Sequence, residues 1–136
     1  MRQQAGVAGY GVGDKLPAVS KTLTQEKIGR YAAASGDHNP LHTDPEFAAT
    51  TQFQGTVAHG MLVLAYISEM LTAAFGERWV SGGRMKARFR APARPGDTVT
   101  ATGRVTGLDH GIVRCEAECR NQAGELLISA DVEAPA

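Results

Sequence analysis

Cysteine, net charge and long apolar runs are all scarce in this 136-residue chain, and each scarcity removes a class of reading. The only thiols are Cys115 and Cys119. In an extended segment, four steps at ~3.3 Å per residue separate them by roughly 13 Å, whereas a disulfide needs Cα atoms within about 7 Å. The two therefore do not bridge each other, and two ligands alone make a poor metal site. Both read as reduced, buried thiols of a cytoplasmic protein. Lysine and arginine total 14, matched by 14 aspartates and glutamates. A balanced chain lacks the basic surface that nucleic acid calls for, so nucleic acid is not the expected partner. No apolar run reaches the ~18–20 residues that cross a bilayer, and no membrane partner is expected. Met1 to Gly13 holds one arginine and several glycines but no apolar signal core. No export signal is expected there. Residues 1–13 read as a flexible tail ahead of a single domain over 14–136.

What the chain does have is periodicity. Lys15 to Leu23 has the character of a first strand, interrupted early by Pro17. Thr24 is a fitting N-cap for a helix reaching about Ser35, with Ile28, Tyr31, Ala32 and Ala34 at helical spacing. Asp44-Pro45-Glu46 signals a second, short helix: an acidic cap, a proline at the first helical position, an acid behind it. Gly60 to Phe75 is apolar on almost every side, which predicts a buried helix. From Trp79 onward the period becomes two. Met85, Ala87, Phe89 and Ala91 alternate with Arg84, Lys86, Arg88 and Arg90. Val99 to Val105, Val113 to Cys119 and Leu126 to Val132 follow the same rule, with turn residues at Arg94–Asp97, Leu108–Gly111 and Asn121–Gly124. This predicts an antiparallel meander of four strands with one dry face. A dry sheet face and an all-apolar helix each need what the other offers. The expected product is an α+β hot-dog fold, one sheet curled around a long central helix.

The densest chemistry lies in Ser35-Gly36-Asp37-His38-Asn39-Pro40-Leu41-His42. Pro40 excludes a regular helix through the segment, so it reads as a shaped turn that aims the carboxylate of Asp37 and the imidazole of His42 at one point. Taken with Asp44-Pro45 and Ala58-His59-Gly60-Met61, the pattern Gly36-Asp37-x-Asn39-Pro40-x-His42 resembles the signature of the MaoC-like hydratases, and among them the (R)-specific enoyl-CoA hydratases. The motif-bearing part runs from about Tyr31 to Leu64, and the remaining elements agree in length and order. The resemblance independently implies a hot-dog fold, a homodimer, and reversible hydration of trans-2-enoyl thioesters to (3R)-3-hydroxyacyl thioesters.

Hydration of such a double bond needs a proton taken from water, a proton given to the α-carbon, and stabilisation of the charge that builds on the thioester oxygen. Asp37 and His42 are the candidate catalytic pair, since a carboxylate and an imidazole meeting at one water can move both protons. Which is base and which is acid stays open. Gly60 opens the apolar helix, where backbone N–H groups lack internal partners and face the positive end of the dipole; its N–H is the oxyanion candidate, and the missing side chain leaves room for an acyl group. Asn39 and His59 read as supporting residues and His38 as loop surface. The strip Arg84, Lys86, Arg88 and Arg90 is a possible contact for coenzyme A phosphates or an acidic acyl carrier protein; the plainer reading is a solvated sheet face balanced by Glu116 and Glu118. No metal or redox cofactor is called for, because the substrate brings its own activating thioester. Three rival readings are an acyl-carrier-protein dehydratase, a hot-dog thioesterase, for which Glu69 is the one acid on the central helix, and a silent acyl-CoA-binding domain.

Overall fold

A computed structural model of the chain describes residues 9–136. The part of the expected tail before Gly9 lies outside the described residues. From Tyr10 on, the tail is tied down: Tyr10 packs edge-on against Phe75 with ring centres 5.6 Å apart, and Gly13 N–H donates to the Val105 carbonyl over 2.8 Å.

The elements run β1 (Val19–Thr22), α1 (Gln25–Ser35), α2 (Pro40–Thr43), α3 (Pro45–Ala49), α4 (Gly60–Phe75), α5 (Glu77–Gly82), β2 (Arg84–Phe89), β3 (Thr98–Asp109), β4 (Ile112–Arg120) and β5 (Leu126–Pro135). The first strand begins only after Pro17. Helix α1 starts where Thr24 caps it, its side chain accepting from Lys27 N–H. Asp44 caps α3 by accepting from the Glu46 and Phe47 amides.

The five strands form one antiparallel sheet in the order β1-β3-β4-β5-β2. This corrects the four-strand meander. Only β3, β4 and β5 follow one another in space, while β2 lies at the far edge beside β5. Residues 90–97 then cross back, and the turn at Arg94–Asp97 is part of that crossing rather than a hairpin. Alternation reports which face of a strand is dry; it carries no information on which strand is the neighbour. A second correction concerns Trp79 to Gly82, which close the helix α5 instead of opening a strand. The Trp79 indole N–H donates to Ser68 Oγ of α4 over 2.9 Å. A third concerns Leu127, placed outward by strict alternation. The register slips between Cys119↔Ile128 and Arg120↔Leu126, so Leu127 is the extra residue of a bulge and is buried along with Ile128. Its carbonyl accepts from Arg90 and Ala91 N–H.

Helix α4 occupies the predicted Gly60–Phe75 span, and the sheet closes over one side of it. Val63, Ile67, Met70, Leu71, Ala74 and Phe75 join Val99, Val105, Val113, Ile128 and Val132 in a single core. The other side is not sealed: Met61 is 58% exposed, and Leu62, Leu64 and Tyr66 are only half-buried. The expectation of an all-round buried helix thus fails within one chain, because one sheet has one dry face to offer. Cys115 and Cys119 are free and buried on β4, and burial pushes each thiol up to about 11.

Candidate active site

The site forms where three chain segments meet at the start of α4. Gly36 ends α1 with φ of 79°, a left-handed conformation that glycine adopts without strain. The chain then turns through Asp37 and His38 and enters α2. Here the turn expected across the whole motif is corrected. Helix α1 has already ended at Gly36, and Pro40 begins a new helical turn, since a proline at the first helical position loses no needed N–H. His42 is therefore a helix residue, and Asp37 a turn residue before it.

Asn39 builds that junction. Its side-chain oxygen caps α2 by accepting from Leu41 N–H over 3.0 Å, and its own N–H donates to Asp37 Oδ1 over 3.2 Å. Asp37 N–H in turn donates to Ser35 Oγ. His42 points its Nδ1 at the Val57 carbonyl, 2.7 Å away. A carbonyl only accepts, so in the neutral ring Nδ1 carries the hydrogen and Nε2 keeps its lone pair free. By the same logic His59 Nε2–H donates to the Asp37 carbonyl, 2.9 Å away. The His42 and His59 rings stack with centres 3.8 Å apart and planes 26° apart, and Tyr31 backs His59.

Asp37, His42 and His59 each bring one donor atom within 4.8 Å of the others. The same three residues, with Tyr31, Ser35, Gly60 and Met61, line a cavity of about 240 Å³. As a metal centre the trio fits badly. The lone pairs of two stacked imidazoles lie in near-parallel planes, whereas ligands ~2.1 Å from one ion must point at it. As an acid–base site it fits well, with Asp37 and His42 lining one small space.

Gly60 begins α4 beside that space. Its bare α-carbon serves an unforeseen neighbour: a Cβ there would stand 2.9 Å from Phe89 Cε1. The ring of Phe89, 55% exposed, thus lies over the helix start in the place that sequence reasoning left to an acyl group. The basic strip is elsewhere. Arg84 and Lys86 stand opposite Glu133 and Asp131 across the β2–β5 pair, and Arg88 stands opposite Ser129. Arg90 Nε donates to Ser129 Oγ. None of the four lines the cavity; Arg88 instead borders a groove of about 610 Å³ on the outer sheet face, with Arg104, Glu116, Glu118 and Asp131. The mixed-charge face is the plainer of the two readings. Glu69, the acid a thioesterase reading would use, pairs with Lys21 at 3.2 Å.

Sequence reasoning missed the clamp behind α2. Gln25 of α1 donates to the His42 carbonyl and accepts from Thr56 Oγ1, both over 2.8 Å. It also missed Tyr31 and Val57 as site neighbours. No local signal marks them, because their roles are created by folding.

The family profile of the MaoC like domain matches residues 10–124. The chain belongs to the MaoC-like family. A protein of Rhodospirillum rubrum named (R)-specific enoyl-CoA hydratase is 40% identical to this MaoC-like chain over 91 residues, 67% of the chain and 63% of the relative. The match thus spans less than two thirds of that relative's length. One of the same name from Aeromonas caviae is 35% identical over 126 residues, 88% of the chain and 90% of the relative. Among solved structures, the unliganded R-hydratase PhaJ1 of Pseudomonas aeruginosa superposes with a TM-score of 0.82 at 32% identity, covering 95% of this chain and 83% of that one. The hot-dog architecture read from the strand pattern is that of these neighbours.

Proposed function

We propose that this MaoC-like domain is a hydro-lyase that adds water across trans-2-enoyl thioesters and removes it from (3R)-3-hydroxyacyl thioesters, with Asp37 and His42 as the reacting pair. One observation carries the reading: Asp37 and His42 line one small cavity and bring ligand atoms within 4.8 Å of each other, with His42 Nδ1 engaged by Val57 and Nε2 without a hydrogen bond among the described residues. In the hydration direction a water oxygen bonds to the β-carbon while one of the pair takes its proton. The α-carbon receives a proton from the same pair, so the net change is one water added to one C=C bond. Charge gathering on the thioester oxygen is met by the Gly60 N–H at the positive end of α4. Asn39 holds the turn that presents Asp37. No metal or redox group enters these steps. The (R) outcome rests on the likeness to relatives so named.

Coenzyme A is the carrier we favour. A carrier-protein thioester is the second reading, favoured by a 34% identical mitochondrial relative named 3-hydroxyacyl-[acyl-carrier-protein] dehydratase, matched over 86% of this chain. A homodimer belongs to the same proposal: the half-open side of α4 and the free edge of β2 are what a second copy would cover. No described helix is long and apolar enough to cross a membrane. The test is loss of the conjugated ultraviolet band of crotonyl-CoA with the purified chain. Loss that Asp37→Asn abolishes supports the proposal. Release of free thiol in place of hydration would turn the reading to a thioesterase.

A further inference from the structure

His59 is the polar residue of the site whose presence packing alone does not explain. It is 2% exposed, and its Nδ1 is buried without a hydrogen-bond partner among the described residues. A buried nitrogen without a partner opposes folding. An apolar ring of similar size would fill the space between Tyr31 and His42 without that penalty. The imidazole adds one thing that such a ring lacks, the Nε2–H that donates to the Asp37 carbonyl.

We propose that His59 is a positioning residue that joins the two reacting groups into one unit. Its N–H fixes the backbone from which the Asp37 carboxylate projects, and its ring face seats the His42 imidazole 3.8 Å away. Asp37 and His42 belong to different elements, the turn after α1 and the helix α2, so neither holds the other directly. His59 is carried by a firmer part of the fold. It is the N-cap residue of α4, its carbonyl accepts from Leu62 and Val63 N–H, and the preceding Ala58 N–H donates to the Ala93 carbonyl. Asp37 is otherwise bonded, among the described residues, only to Ser35 and Asn39, its close sequence neighbours. Among the described residues, the His59 bond is therefore the hydrogen bond that ties this turn to a distant part of the chain. The charged and titratable groups facing His59 are Asp37 from the turn, His42 from α2 and Tyr31 from α1.

The inference rests on the hydration reading for its kinetic half only. Two substitutions separate the two attachments. His59→Phe keeps a ring against His42 and loses the N–H; His59→Gln keeps an amide N–H of similar reach and loses the ring. A displaced reacting group costs on the order of 10²-fold, so His59→Phe is expected to lower kcat for crotonyl-CoA by about 10–100-fold with KM little changed. His59→Gln is expected to recover part of that loss. The second half needs no turnover. In ¹H–¹⁵N spectra the His38 amide, which shares a peptide unit with the Asp37 carbonyl, moves in His59→Phe and stays near its native position in His59→Gln. A folded His59→Phe chain with native kcat and an unmoved His38 amide overturns the proposal. If His59→Phe does not fold, His59→Ala against His59→Gln makes the same comparison, and equal kcat with equal His38 shifts in both overturns it. If the native chain hydrates no thioester, the spectra still decide the role of His59, and the function proposal fails on its own.

Discussion

Where α4 faces the sheet the molecule is apolar and sealed: Ile67, Met70 and Leu71 expose no surface, and Val99, Val105 and Val113 close over them. In the segment proposed to react, Gly36 to Pro40 are all exposed. That segment is held by short side-chain-to-backbone bonds from Ser35, Asp37 and Asn39. The core derives its order from area removed from water, which many residues share. The reacting segment derives its order from individual hydrogen bonds, each with its own donor and acceptor. Stability therefore resides mainly in the first region and the proposed activity in the second, and substitutions should separate the two.

The widest separation is expected at the reacting pair. Asp37→Asn and His42→Ala should each lower kcat by about 10²–10⁴-fold, the usual worth of positioned acid–base groups, while thermal unfolding scarcely moves. A variant that keeps near-native turnover removes its residue from the pair. The mirror experiment is Ile67→Ala. Truncating a fully buried aliphatic side chain costs about 2–5 kcal/mol, so denaturant unfolding should shift strongly while turnover per folded molecule persists. A parallel loss of turnover in the folded fraction would show that core and site are less separable than this.

Gly60 tests the seam between the regions. Gly60→Ala forces a methyl into the Phe89 ring, but that ring is half-exposed and free to swing. The expected stability cost is about 1 kcal/mol, at the low end for overpacking, with a fall in activity as the displaced ring disturbs the helix start. Adding Phe89→Ala should restore stability. If it does not, the contact with Phe89 is not the reason for glycine there. The smallest effect concerns the core thiols. Their values near 11 in the folded chain lie above those of unfolded cysteine. The folded state therefore holds these protons more tightly. That contribution is complete below about pH 8.5, the ordinary thiol value, and is lost as pH rises through about 11. Unfolding followed across that window should show stability falling with pH, with a shallower fall in a chain carrying Cys115→Ala and Cys119→Ala.

Legibility in the sequence follows the same division. Local rules reported local facts well. Thr24 and Asp44 cap the helices they were expected to cap, and α4 has the expected ends. Pro40 misled in part, because α1 ends ahead of it at Gly36 and a proline is suited to begin the next helix. The Asp37–His42 pairing was legible because both members lie within one short segment whose spacing limits where they can point. Gln25, Tyr31 and Val57 were not readable as parts of the site, and His59, read as a supporting residue, gave no local sign of its bond to Asp37. They come from α1 and from the approach to α4, and their meeting depends on how those elements pack.

By itself the sequence determined most of the elements, the dry face of each strand where the alternation is regular, and the residue types at the Asp37–His42 segment, all set by period, capping and backbone sterics over a few residues. Tertiary structure alone decided the rest: that β2 pairs with β5 across the sheet, that Phe89 lies over Gly60, that Arg84 and Lys86 stand opposite Glu133 and Asp131, and that His59 reaches Asp37. These are relations between residues far apart in the chain. They are settled by which surfaces must be buried together, and no local pattern encodes that choice.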